Sequence, residues 1–352
     1  MLRGLRILLA GLVASSLTLL LWGQIWRELP VRLPEPRGKL AVGRVALTIV
    51  DPVRLDPLSP DGATQRRVSV FVTYPAAASS GTPAPYAPGL WKSAIDQTLG
   101  SNSLFWKRMD RISTAMRDSA LPADGKFPLI LFEPGYGKGA LDYTTLIQDL
   151  TSHGFVVAAI TPTYSFSRTV IDDKIIPSSG YGAPDEDDES AFEAALTQTV
   201  VPVWIDDFEM VRCGLQALSL PILKAVRDFD RVGLMGHSLG GGAALEACAR
   251  MTTCFAAVDI DGKTFVASES TKARLLIGLS QPRDFQTTLR SIKFVSPEAT
   301  FHEAESDLAF ELNPLLLTLL QRKTANPART IFRISDLTIR HFNDGDSAAS
   351  FP

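Results

Sequence analysis

The chain has 352 residues, 45% of them hydrophobic and 21% charged, which is enough apolar material for a large buried core. A formal net charge of -3, with no basic stripe in the body of the chain, argues against nucleic acid as a partner. Three cysteines, Cys213, Cys248 and Cys254, make neither a disulfide framework nor a CxxC metal pair. They read as buried thiols, with a Cys248–Cys254 bridge as the alternative if the body lies outside the cytoplasm.

The amino terminus stands apart. Arg3 and Arg6 precede ILLAGLVASSLTLLLWGQIW, residues 7–26, an uncharged run of about the length needed to cross a bilayer, with Trp22 and Trp26 where interfacial aromatics sit. A cleaved signal peptide would end in small residues, whereas LWGQIW is bulky, so 1–26 reads as a retained membrane anchor in preference to a signal sequence. Residues 27–352 are then expected to form the folded domain, membrane-anchored or secreted.

Within it, RVALTIV (44–50) reads as an edge strand after a linker, and RVSVFVTYP (67–75) as a half-buried strand ended by proline. From Leu90 to about Met116 the pattern is helical. Then comes an alternation: strand 127–132 (FPLILF), helix near 140–153, strand 155–160 (FVVAAI), helix near 192–219, strand 231–236 (RVGLMG), helix 239–251, strand 254–260 (CFAAVDI). Continuous apolar strands separated by helices predict a mostly parallel sheet with helices on both faces, an α/β protein. Further strands are expected at ARLLIGL (273–279) and RTIFRI (329–334). The acidic run Asp185–Glu189 reads as a solvated loop, and the span 281–327 as a lid insertion.

The chemistry concentrates at Gly236-His237-Ser238-Leu239-Gly240. A Gly-x-Ser-x-Gly run delivered by a strand and followed at once by a helix has the mechanics of a nucleophile elbow: small residues flank a sharp turn that exposes the serine hydroxyl. Such a hydroxyl needs a histidine to take its proton and an acid to orient that histidine. Of four histidines, His237 is too close on the turn and His153 comes before the serine. Between His302 and His341, the second is preferred because it follows the last expected strand. For the acid, Asp261 and Asp284 both stand near carboxyl ends of strands after the elbow, and position alone leaves them level. Oxyanion donors are expected from the backbone N–H of Leu239 and from Tyr136 in the loop EPGYGKG.

Taken in order, VALTIVDPVR, VFVTYPA, FPLILFEPGYG, LTSHGFVVAAI, GHSLGG and AVDIDG resemble the platelet-activating-factor acetylhydrolase family of α/β-hydrolases, over about Val42 to His341. The resemblance implies a serine esterase without metal or cofactor that cleaves short or oxidised acyl chains from phospholipids. It implies Asp261 as the acid, His341 as the base, and Tyr136 and Leu239 at the oxyanion hole. It also implies a His-x-x-Phe-x-Asp arrangement, met at His341 with Asp344 in the Phe position and Asp346 in the acidic one, and a closing helix after the base. A general lipase or cutinase-like esterase shares this core, and a non-catalytic scaffold binding lipid or a partner is the reading from another class.

Overall fold

The computed structural model of the chain describes residues 2–78, 80–185, 187–262, 274–279, 291–295, 306–319 and 326–343. Its centre is one large sheet. From one side it runs through Ile112–Asp118, Ala41–Leu55, Gln65–Ala76, Val156–Thr161, Leu129–Glu133, Val232–His237, Cys254–Ile260, Arg274–Leu279 and Ser291–Val295, with the short strands Val31–Arg32 and Thr82–Pro85 on its first edge. Gln65–Ala76 pairs antiparallel with both its neighbours, and the sheet is parallel from Val156–Thr161 onward. This is the α/β-hydrolase architecture.

The strand sequences explain their places. Leu129–Glu133 and Val156–Thr161 are buried at every position, as expected of strands covered on both faces. Leu129 and Leu131 enter the core under helices Val201–Ala217 and Leu239–Arg250. Ile130 and Phe132 enter the opposite core with helix Thr144–Ser152 and the terminal helix Pro327–Asn343. Asp188, inside the acidic run, caps helix Glu189–Ala195 by accepting from the N–H groups of Ser190 and Ala191.

Three expectations are corrected. RVALTIV is not an edge strand: it lies between Ile112–Asp118 and Gln65–Ala76. The helical reading of 90–116 holds only for Trp91–Leu99; the chain then turns through 3-10 segments into a strand at Ile112. RTIFRI is not a strand but part of the 17-residue helix Pro327–Asn343. Its buried positions, Thr330, Ile331, Ile334, Ser335, Thr338, His341 and Phe342, recur at helical spacing. Asn326 caps it by accepting from Arg329 N–H at 3.0 Å, with proline at the first helical position.

The span 281–327 contains a strand at Ser291–Val295 and short helices at Leu308–Glu311 and Pro314–Leu319. Cys248 and Cys254 are bridged, joining the end of the helix after Ser238 to the start of the next strand. Helix Leu2–Glu28 is long and apolar enough to cross a membrane, and its described side chains are mostly exposed.

Candidate active site

Ser238 ends the strand Val232–His237 and starts the helix Leu239–Arg250 with φ 53° and ψ -121°, a strained backbone for a residue with a side chain. The glycines around it are steric necessities. A methyl on Gly236 would lie 2.2 Å from the Gly240 backbone, and one on Gly240 would lie 2.3 Å from the Pro134 carbonyl oxygen. Strand, turn and helix therefore close on one another only when those positions carry no side chain.

The acid strand is tied to the same point. Ser238 N–H donates to Ile260 O at 2.7 Å, and a methyl on Gly262 would stand 2.3 Å from Ser238 O. Asp261, between them, is buried and has φ 52°. Asp259 is turned away toward the helix: its Oδ1 accepts from Gly262 N–H at 2.8 Å and lies 1.9 Å from where a Gly241 methyl would be.

The loop after Leu129–Glu133 completes this end of the sheet. A methyl on Gly135 would be 3.3 Å from Ser238 Cβ, so the backbone leading to Tyr136 passes directly over the serine. The loop is pinned by Tyr143, whose hydroxyl accepts from Gly135 N–H at 3.1 Å and shares a 2.7 Å hydrogen bond with His237 Nδ1. Leu239 is the first residue of its helix, where amides have no intrahelical acceptor. Ser238, Asp261, Tyr136 and Leu239 thus converge at the carboxyl ends of adjacent strands.

His341 does not share this placement. It sits in the last turn of the terminal helix, beside Phe342, with ring centroids 5.9 Å apart. Phe342 packs on Gly233, Phe155 and Phe255, all at the amino ends of their strands. From Gly233 to Ser238 is five residues of extended chain, roughly 16 Å. The expected loop over the sheet edge is a helix instead, and it carries His341 toward the opposite end. His153 also lies there, with Nδ1 against Asp149 O at 2.8 Å. His302 and Asp284 lie outside the described residues.

Two contributors had weak sequence signals or none. Tyr143 links loop and elbow through contacts that only the fold creates. Glu133 was visible as a lone acid in the apolar run FPLILFEPG. It is fully buried, neither oxygen has a hydrogen-bond partner among the described residues, and burial first, then Asp207, push its carboxyl far above the usual range, against the opposing pull of Arg66.

Beside the loop lies a cavity of about 260 Å³, lined by Trp91, Trp106, Phe166, Gly139, Asp142 and Glu311 among others. The amino-terminal helix docks next to this wall. Lys107 Nζ donates to Leu29 O at 3.1 Å and sits 4.0 Å over the Trp26 ring, while Glu28 pairs with Arg108 and Arg111.

The class defined by this fold and elbow is that of the α/β-hydrolases. Over 91% of its length the chain superposes on 94% of a ferulic acid esterase from Streptomyces cinnamoneus, with TM-score 0.72 and 22% identity. More particularly, residues 66–166 match the family model for platelet-activating factor acetylhydrolase, isoform II, so the resemblance read from the motifs is borne out. Platelet-activating factor acetylhydrolase of Cavia porcellus is 23% identical over 202 residues, 51% of this chain and 46% of that protein. The chain thus spans less than half the length of that relative. The family match covers the strand before the loop and the loop itself but not Ser238, so the elbow stands on its own geometry.

Proposed function

We propose that the protein is a serine carboxylester hydrolase in which Ser238 attacks an ester carbonyl and the acyl-enzyme is then hydrolysed by water. The carrying observation is the strained Ser238 backbone at the head of a helix, hydrogen-bonded to the strand that ends at Asp261. The N–H groups of Leu239 and Tyr136 are the oxyanion donors, and Asp261 orients the base.

For the base we propose His302 in place of His341. His341 and His153 are placed at the amino ends of strands, and His237 faces Tyr143. His302 is five residues before Asp307, whose N–H donates to Asp142 O at 2.7 Å just after the oxyanion loop. Read from His302, the family arrangement puts Glu305 in the Phe position and Asp307 in the acidic one, and the helix Pro327–Asn343 follows as the closing helix.

A short acyl group at the second glycerol position of a phospholipid is the favoured substrate, on the family resemblance and on the docking of helix Leu2–Glu28 beside the cavity. That helix serves as a single-pass anchor, and the Cys248–Cys254 bridge supports an extracytoplasmic body. Fluorophosphonate labelling lost in Ser238→Ala, together with loss of short-chain nitrophenyl ester turnover, supports the reading. Unchanged turnover overturns it, and a folded protein that neither labels nor turns over ester is the non-catalytic scaffold. Acetyl phospholipid, tributyrin and polyester film, compared directly, separate the phospholipid reading from a lipase or cutinase-like one.

A further inference from the structure

Three carboxyl groups from two distant parts of the chain, Asp142 from one and Asp307 and Glu311 from the other, meet beside the oxyanion loop. Asp307 N–H donates to Asp142 O at 2.7 Å, and Asp307 Oδ2 accepts from Thr145 N–H at 3.0 Å. Glu311 O accepts from Lys107 N–H at 2.8 Å, and Glu311 Oε1 lies against the Tyr86 hydroxyl. The segment 306–313 is thereby fastened to the turn that follows Gly135–Gly139.

Tyr86 has one hydroxyl proton and two oxygen neighbours. One is Leu141 O at 2.9 Å, which can only accept; the other is Glu311 Oε1. Were Glu311 a carboxylate, one of these close oxygen pairs would have no proton between its members. With the proton on Glu311, Glu311 donates to Tyr86 and Tyr86 donates to Leu141. We propose that Glu311 is held as the neutral acid and acts as a positioning residue, its proton closing a Glu311–Tyr86–Leu141 chain that latches residues 306–313 onto the oxyanion-loop turn.

The surroundings favour that state. Among the described residues, the charged and titratable groups facing Glu311 are Asp142 and Lys138 from the loop and its turn, Asp307 from its own segment, and Tyr86. Lys107 supplies its backbone, while its ammonium group turns to Trp26 and Leu29. Burial, then Asp142 and Asp307, push Glu311 up to about 8, with Tyr86 and Lys138 pulling the other way; Asp307 is itself pushed up to about 7, chiefly by burial. Glu311 and Asp142 line the cavity, which gives their protons a route to solvent. Removal of the Glu311 proton breaks the chain and sets a new negative charge against two acids, so the latch opens as pH rises.

The latch rests on the esterase reading only for its effect on rate. Amide hydrogen exchange of the full chain in detergent, carrying Ser238→Ala so that no turnover intervenes, tests it directly. Protection of residues 140–145 and 308–313, corrected for intrinsic exchange, should fall by up to about tenfold per pH unit above 8. In Glu311→Gln, whose amide donates to Tyr86 without titrating, that fall should disappear; Tyr86→Phe should show the opened protection already at pH 7. Equal protection at pH 7 and 9 in the parent protein, or the same fall in the Gln variant, overturns the proposal. With Ser238 present, Glu311→Gln should also lose the alkaline decline in kcat, with KM little affected. Labelling at Ser238 decides the esterase reading separately.

Discussion

Ser238 and Ile260 share a 2.7 Å backbone hydrogen bond that joins the strained strand-to-helix turn to the strand delivering Asp261. Because Gly236, Gly240 and Gly262 press backbone on backbone around it, the turn has no slack. Gly240→Ala should therefore cost more than about 2 kcal/mol, since its methyl would meet the Pro134 and Glu133 carbonyl oxygens with no flexible side chain to give way. Urea denaturation measures this, and wild-type stability would refute the steric account.

The two histidines separate by kind of effect. His302→Ala should reduce ester turnover by about 10⁴-fold or more with little change in melting temperature, as removal of a general base from a triad does. His341→Ala should lower stability by about 1–3 kcal/mol while leaving kcat within a few-fold, because it is buried in the terminal helix beside Phe342. Paired assays of turnover and thermal unfolding check both, and the reverse pattern would restore His341 as the base.

Glu133 gives a pH signature. Its folded pKa is raised, so the native state holds a proton that the unfolded chain releases above its ordinary value near 4.5. Stability should fall as pH rises from that value toward the folded pKa, at up to about 1.4 kcal/mol per pH unit. Glu133→Gln should remove this decline, so the variant gains on wild type as pH rises above the ordinary carboxyl value. Parallel denaturation curves for the two proteins would contradict a protonated Glu133.

Asp149 has the opposite sign. It is buried, and Arg37 Nη2 and Ser335 Oγ donate to it at 2.8 and 2.7 Å. Burial alone pushes it upward, but these bonds hold it below the ordinary range, so its contribution is present above the unfolded value and lost as pH falls through the folded one. Asp149→Asn should cost about 1–3 kcal/mol at pH 7 and flatten the loss of stability below about pH 4, read from acid titration of the far-UV signal.

The sequence by itself determined the elements whose requirements are local. Glycines at 236 and 240 around Ser238 are demanded by one tight turn, and continuous apolar runs such as FVVAAI mark strands covered on both faces, so the parallel core and the elbow were legible residue by residue. RTIFRI was not, because six residues rich in Ile and Phe fit a strand as well as a helix; only the longer spacing out to Phe342, realised by packing against Gly233, Phe155 and Phe255, settles it. RVALTIV likewise carries no mark of being interior, since its outer neighbour Ile112–Asp118 comes from over sixty residues later. Tertiary structure alone decided which side chains meet: Tyr143 with His237, and Tyr86 with Glu311. Contacts between segments so far apart depend on how strands are ordered across the sheet, which hydrophobic periodicity does not encode.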